Sequence, residues 1–265
     1  MKISIITVCY NSEEHLQETI ESVLKQSYPD IEYIVVDGGS KDKTLDIIKS
    51  YHGKINHWIS EPDNGIYDAL NKGIRMATGD VVGIINSDDY FHRSDAIEKV
   101  AECLKENKAE SVFADIIFVQ RENPEKHVRY YSSRSFKPWK MRFGFMPAHP
   151  TFFTYKRNFE KYGFYDTSFK IAGDFEIMVR MFLKHKVSFQ YIPMDMMKMR
   201  TGGVSTRSLK STFIINKENL KALRENGFYS NYLFLFSRYV IKVFHYLPFF
   251  IRFKMNDKKS NEVHV

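Results

Sequence analysis

The chain has 265 residues, 43% of them apolar, with 39 Lys or Arg against 32 Asp or Glu for a formal net charge of +7. This composition fits a globular protein with one large core, or one domain with an extension, rather than a disordered chain. The positive excess is local: from Lys198 to Val265 the balance is +9, which leaves −2 for residues 1–197, so a uniformly basic nucleic-acid-binding surface is not expected.

The N-terminus, M-K-I-S-I-I-T-V-C-Y-N, has only a short apolar core and no small-residue cleavage site, and reads as a first strand rather than a signal peptide. Ile3 to Cys9 forms that strand. Asn11, with Glu14 three residues on, is expected to cap a helix whose Leu16, Ile20, Val23 and Leu24 share one face. Ile31 to Val36 is a second strand ending at Asp37, and Ser40 is expected to cap a helix carrying Leu45, Ile48 and Tyr51. A third strand is predicted over Ile55 to Ile59, a helix over Tyr67 to Ala77 closed by Gly79, and a buried strand over Val81 to Ile85. Residues 94–107 repeat the helical pattern. Ser111 to Gln120 and Val128 to Ser132 read as antiparallel strands joined by the charged turn Arg121 to Lys126. A helix is predicted from Asp174 to His185 with Phe175, Met178, Val179 and Phe182 inward, and beyond Ser205 only helices. There is no internal repeat. Cys9 and Cys103 form no C-x-x-C pair, so neither a zinc site nor a disulfide framework is expected, which suits a reducing cytoplasm. No apolar run reaches the roughly 18 residues of a membrane-spanning helix.

Strands separated by short helices imply right-handed crossovers and an α/β fold with a mainly parallel sheet, whose ligands bind beyond the carboxyl ends of the strands. Those ends are Tyr10-Asn11, Asp37-Gly38-Gly39-Ser40, Glu61-Pro62-Asp63 and Asn86-Ser87-Asp88-Asp89. The run D-V-V-G-I-I-N-S-D-D-Y closes a buried strand on two carboxylates. These repel each other unless a positive partner, such as a metal ion with an anionic ligand behind it, sits between them and solvent. No G-x-G-x-x-G is present to seat a dinucleotide, so the crevice calls for a nucleotide held partly through a hard cation, Mg²⁺ or Mn²⁺.

The segments I-I-T-V-C-Y-N, I-V-V-D-G-G-S-K-D-K-T, S-E-P-D-N-G-I-Y-D-A-L-N-K-G and I-I-N-S-D-D together resemble the family 2 inverting glycosyltransferases of the GT-A fold, particularly those that build bacterial surface polysaccharides such as O-antigen, capsule or exopolysaccharide. The resemblance covers roughly residues 1–205, leaving residues 206–265 as a helical, basic and aromatic extension. It implies that Thr7, Tyr10 and Asn11 line the nucleotide pocket and that Asp37 accepts from the uracil imide. Glu61 and Asp63 would then lie beside base and ribose, and Lys72 near the phosphates. Asn86-Ser87-Asp88 stands at the family's D-x-D position, which makes Asp88 the implied ligand of Mn²⁺ or Mg²⁺. The first acid is Asn86 here, leaving open whether it meets metal or ribose. I-A-G-D-F-E resembles the segment that carries the catalytic base, implying that role for Asp174, and His149 in M-P-A-H-P-T-F-F resembles a histidine between metal site and acceptor. Gly202 and Gly203 read as a loop able to close over the donor. Nothing matches the later Q-x-x-R-W motif of processive members, so one sugar per acceptor is expected.

The resemblance implies a UDP-sugar donor and a lipid-linked saccharide acceptor at the inner face of the cell membrane. Two other classes compete. A sugar nucleotidylyltransferase usually opens with a glycine-rich, basic phosphate loop, which V-C-Y-N-S-E-E-H is not. A noncatalytic lipid or polyanion binder would leave the carboxylate crevice unexplained. The stretch F-Y-S-N-Y-L-F-L-F-S-R-Y-V-I-K-V-F-H-Y-L-P-F-F-I-R-F-K is expected to lie in a membrane interface with Arg238, Lys242, Arg252 and Lys254 toward anionic headgroups, or else to pack on the core.

Overall fold

The structure is a computed structural model that describes residues 1–202 and 209–239. Its centre is one mixed sheet of nine strands in the order β3-β2-β1-β4-β8-β6-β9-β5, with β7 paired to β6. The first half follows the predicted alternation: β1 (Ile3–Cys9), α1 (Leu16–Leu24), β2 (Ile31–Asp37), α2 (Thr44–Ser50), β3 (His57–Ser60), α3 (Ile66–Met76) and β4 (Val81–Asn86). These four strands are parallel and in register, Cys9 opposite Asp37 and Val8 opposite Asn86, so their carboxyl ends finish at one edge. Every residue of β1 is buried because both faces are covered. Ile3 and Ile5 join Leu16 and Ile20 of α1 on one side, while Ile6 and Val8 join Leu70 and Ile74 of α3 on the other. Two fully covered faces are what a mostly apolar strand with every residue buried requires.

The second half comprises β5 (Tyr90–Phe91), α4 (Ala96–Asn107), β6 (Ser111–Val119), β7 (His127–Tyr131), β8 (Phe153–Tyr155), α5 (Lys156–Tyr162), α6 (Gly173–Met178) running into a π-helical turn at Val179–Lys184, β9 (Phe189–Arg200) and α7 (Leu209–Glu225). A further helix occupies 232–239. β6 and β7 are antiparallel as predicted, but the sheet is more mixed than expected. β8 joins antiparallel to both β4 and β6, and β9 runs parallel to β6. Gly83 lets β8 dock on β4, since a Cβ there would overlap the Phe153 ring. Asp115 fastens the irregular part of β6: its carboxylate accepts from the Tyr130 and Tyr191 hydroxyls, both at 2.6 Å, and from the Ser133 N–H at 2.6 Å.

Two expected caps are corrected. Helix α1 begins at Leu16 and α2 at Thr44, neither with a side-chain cap, whereas Asn11 and Ser40 bond to each other's loops. The C-terminal helices pack into the core: Leu220, Ala222, Leu223 and Leu235 share a cluster with Phe175, Ile177 and Met178. Arg238 is corrected with them. It is only 9% exposed and donates to the Gly144 carbonyl at 2.8 Å and the Asn216 side chain at 3.0 Å, so it faces the core rather than headgroups. Lys242, Arg252 and Lys254 lie outside the described residues. Among the described residues no helix is long and apolar enough to cross a membrane.

Candidate functional site

The parallel strand ends bring Tyr10, Asn11, Asp37, Asp63 and the Asn86–Asp89 segment to one edge. Gly38 marks the convergence, because a Cβ there would overlap the Asp63 carboxylate and come within 3.4 Å of the Tyr10 ring. Tyr10 is 60% exposed, offering a ring face at the edge. The loops are tied together by Asn11, whose φ of 48° is uncommon for a non-glycine residue: its N–H donates to Ser40 Oγ at 2.8 Å and its Oδ1 accepts from the Lys41 N–H at 2.9 Å.

Several expected contacts differ. Thr7 does not line the crevice: it is fully buried within β1 and shares a 3.0 Å hydrogen bond with the Tyr33 hydroxyl. Asp37 reaches the edge but is itself fully buried, accepting from the Ser40 hydroxyl and N–H and from the Ser60 hydroxyl at 2.6 Å. Its oxygens join the β2 and β3 ends, so here it builds the floor of the crevice rather than presenting a free acceptor. Burial and the neighbouring Asp37 push the Cys9 thiol well above its ordinary range, leaving it inert. Lys72 is already engaged, with Nζ 2.8 Å from Glu61 and donating to the Pro62 carbonyl at 3.0 Å. Asp63 accepts from the Gly65 N–H at 2.8 Å.

At the end of β4 the two adjacent carboxylates separate. Asp89 is fully buried; it accepts from Asn86 Nδ2 at 3.1 Å and the Arg200 N–H at 3.3 Å, and burial followed by the Asp88 charge pushes its pKa up to about 8. It is therefore not a second ligand facing solvent. Asp88 does face solvent, with a side chain 33% exposed and Oδ2 3.8 Å from Arg121 Nη1. Ser87 bonds the Ser12 hydroxyl at 2.8 Å. Among the described residues no three His, Cys, Asp or Glu side chains gather to hold a metal. One partly exposed carboxylate fits Mg²⁺ or Mn²⁺ completed by substrate phosphates and water, and does not fit a closed zinc or calcium cage.

Arg121 and Arg200 escaped the sequence reading. Arg200 is 3% exposed, pairs with Glu18, lies 5.0 Å from the Tyr90 ring centre, and donates to the Asp88 carbonyl at 2.6 Å. It reaches Asp88 because β9 runs parallel to β6 and ends beside it, Val119 opposite Arg200. The usable signal was position: Arg121 closely follows a strand that runs to the same edge.

The third group lies at the start of α6. Asp174 is partly buried, and burial raises its carboxyl above the ordinary range, an effect that the nearby His149 opposes. His149 Nε2 lies 2.8 Å from the Tyr165 hydroxyl, and burial lowers the imidazole's pKa. The loop before Asp174 is clamped from two sides. Tyr67 of α3 donates to the Ile171 carbonyl at 2.6 Å and accepts from the Gly173 N–H at 2.8 Å. From α7, Glu218 accepts from the N–H groups of Lys170, Ile171 and Ala172 at 2.9, 3.0 and 2.8 Å. Neither clamp was legible in the sequence. Gly202 has a φ of 99° with open space where a Cβ would be, and Gly203 lies outside the described residues.

Residues 4–172 match the family model described as glycosyl transferase family 2. An uncharacterized glycosyltransferase of Mycobacterium tuberculosis is 40% identical over 103 residues, which is 38% of this chain and 39% of that protein. The chain thus aligns with about two fifths of that relative's length. A PGL/p-HBAD biosynthesis glycosyltransferase of Mycobacterium bovis is 26% identical over 83% of each chain. Among solved structures, S. aureus TarS 1–349 in complex with UDP-GlcNAc superposes with a TM-score of 0.67 at 19% identity, covering 84% of this chain and 66% of that one, a likeness of fold.

Proposed function

Because the chain belongs to glycosyl transferase family 2, we propose that it moves one sugar, with inversion, from a UDP-sugar to a hydroxyl of a lipid-diphosphate-linked saccharide in the making of a cell-surface glycan. The site of action in this reading is the cytoplasmic face of the cell membrane. The observation that carries it is Asp174, a carboxylate of raised proton affinity, flanked by His149 and held by two clamps at the end of the sheet that carries Asp88. The PGL/p-HBAD relative supports a surface glycan, and the fold shared with a UDP-GlcNAc-binding protein supports the donor class.

Asp174 takes the proton of the acceptor hydroxyl as that oxygen bonds to the anomeric carbon and the bond to UDP breaks on the opposite face. A general base of this kind contributes about 10²-fold to 10⁴-fold. Tyr10, Asp63 and the Gly38 floor hold the nucleoside end. Asp88 would bind Mn²⁺ or Mg²⁺, which when present stabilises the charge of the departing diphosphate. Arg200 fixes the Asp88 backbone for that role.

The direct test is incubation with UDP-glucose, UDP-galactose and their N-acetyl forms in Mn²⁺. Release of UDP from one of them is expected. Pyrophosphate exchange would identify a nucleotidylyltransferase instead, and no turnover of any donor, with or without acceptor, would refute transfer.

The Glu218 clamp gives a separate expectation. Glu218→Ala should lower transfer by about 10-fold to 10²-fold, the scale of a small misplacement of a reacting group, with UDP affinity unchanged by calorimetry. In Glu218→Gln the loss of a negative charge that raises the Asp174 pKa should move the acid limb of the pH profile to lower pH. An unmoved profile would reduce Glu218 to a packing residue.

A further inference from the structure

The helix at 232–239 buries Leu235 in the core but turns an apolar face outward. Its one charged residue, Arg238, is buried, while Tyr232, Leu233 and Phe236 are 41%, 77% and 48% exposed. A helix that packs on a core ordinarily presents the reverse. The exposed face continues through Tyr229, which meets Phe234 edge-on at 6.1 Å; Phe234 stacks on Phe143 at 4.8 Å, and Phe143 contacts Trp139 at 5.9 Å. Trp139 is 55% and Tyr229 67% exposed. Two segments far apart in sequence therefore build one patch, locked by Arg142 Nε donating to the Tyr229 carbonyl at 2.9 Å and by Ser230 donating to the Arg142 carbonyl at 2.6 Å. Singly exposed apolar residues are ordinary, but a contiguous aromatic patch marks a surface that is covered in use.

Charge identifies the cover. Residues 126–159 and 226–256, which contain both segments, have no Asp or Glu. Lys137, Lys140 and Arg142 frame Trp139, and the sequence past residue 239 adds Lys242, Arg252, Lys254, Lys258 and Lys259 against Asp257 and Glu262. Two copies of segments without a carboxylate would repel each other, whereas Trp, Tyr, Leu and Phe interspersed in sequence with Lys and Arg is the composition of an interfacial membrane contact.

We infer that Trp139, Tyr229, Tyr232, Leu233 and Phe236 form a docking surface that inserts into the interface of an anionic lipid bilayer. The patch is close in the chain to His149. Phe143 lies six residues before His149, and Arg238 fastens the helix to Gly144. The benefit to catalysis rests on the proposed lipid-linked acceptor; the binding itself does not. Residues Leu235 and Arg238 belong to the core, so truncation after Gly227 would remove buried groups, and exposed point substitutions are the sound test.

The experiment uses the full chain and phosphatidylcholine vesicles with and without phosphatidylglycerol. A Trp58→Phe background leaves Trp139 as the only indole. Flotation with the anionic vesicles at low salt, weakened by high salt, and a blue shift of Trp139 emission are expected. Leu233→Ser with Phe236→Ser should reduce partitioning by about 10-fold or more, the scale set by burial of two large apolar side chains. Unchanged binding of that double variant, or an unmoved Trp139 spectrum, overturns the proposal. So does a dimer in light scattering that the double variant dissociates, which assigns the face to a second copy, or a monomer that ignores the vesicles, whose face is covered by its own residues 240–265. UDP release in solution is measured on the same samples. Release without vesicle binding refutes this surface alone, while vesicle binding without release from any donor refutes the transferase reading alone.

Discussion

Replacing Asp174 with Asn is expected to lower transfer by about 10²-fold or more while UDP binding, measured by calorimetry, stays within a few-fold of the parent. The substitution keeps the shape of the side chain and an oxygen able to accept the Phe175 N–H bond that Oδ1 now holds at 2.8 Å, so the loop keeps its geometry and only the proton acceptor is lost. The sign of the pH dependence follows from burial, which raises the carboxyl above its ordinary range. As the proposed base, Asp174 works only when ionised, so the parent's turnover should fall as pH drops through that raised value, and Asp174→Asn should lose this limb. A variant that loses donor binding together with turnover would make Asp174 a structural residue.

The second large effect is expected at Asp88. Asp88→Asn removes the one half-exposed carboxylate at the end of β4 and leaves its backbone anchor intact, because Arg200 grips the Asp88 carbonyl and not the side chain. Residues that merely orient metal ligands are worth 10-fold to 100-fold in affinity, so losing a ligand itself should weaken Mn²⁺-dependent UDP binding by about 10²-fold. Binding of UDP in EDTA should change little. If the variant binds Mn²⁺ and UDP as the parent does, the cation is held elsewhere.

The parallel half of the fold was legible because β1, β2 and β4 are mostly apolar, β-branched runs bounded by turn residues, and β1 appears with its predicted bounds. β8 is three residues long and gave no period to detect, and β9 reads M-D-M-M-K-M-R, where flexible methionines and interspersed charges blur the alternation. The site divides similarly. Asp88 and Asp174 stand where their motifs put them, but motif reading cannot tell a buried polar residue from an exposed one. Thr7, Asp37 and Asp89 all turned out to be fully buried, each satisfied by neighbours brought in from other elements. Asn11 and Ser40 have the composition of helix caps, yet long-range bonding between two loops outcompeted the local option.

The Glu218 clamp also bears on the order in which the enzyme becomes competent. The backbone bonds that seat the loop before Asp174 come from a side chain 46 to 48 residues downstream. On a ribosome, the crevice of residues 3–89 and the Tyr67 clamp are complete in sequence long before α7 emerges, so the loop before Asp174 first has one of its two anchors and gains the second only with Glu218. The full seating of this loop is thus a late event of synthesis, and a prematurely terminated chain ending before Glu218 would hold it through Tyr67 alone.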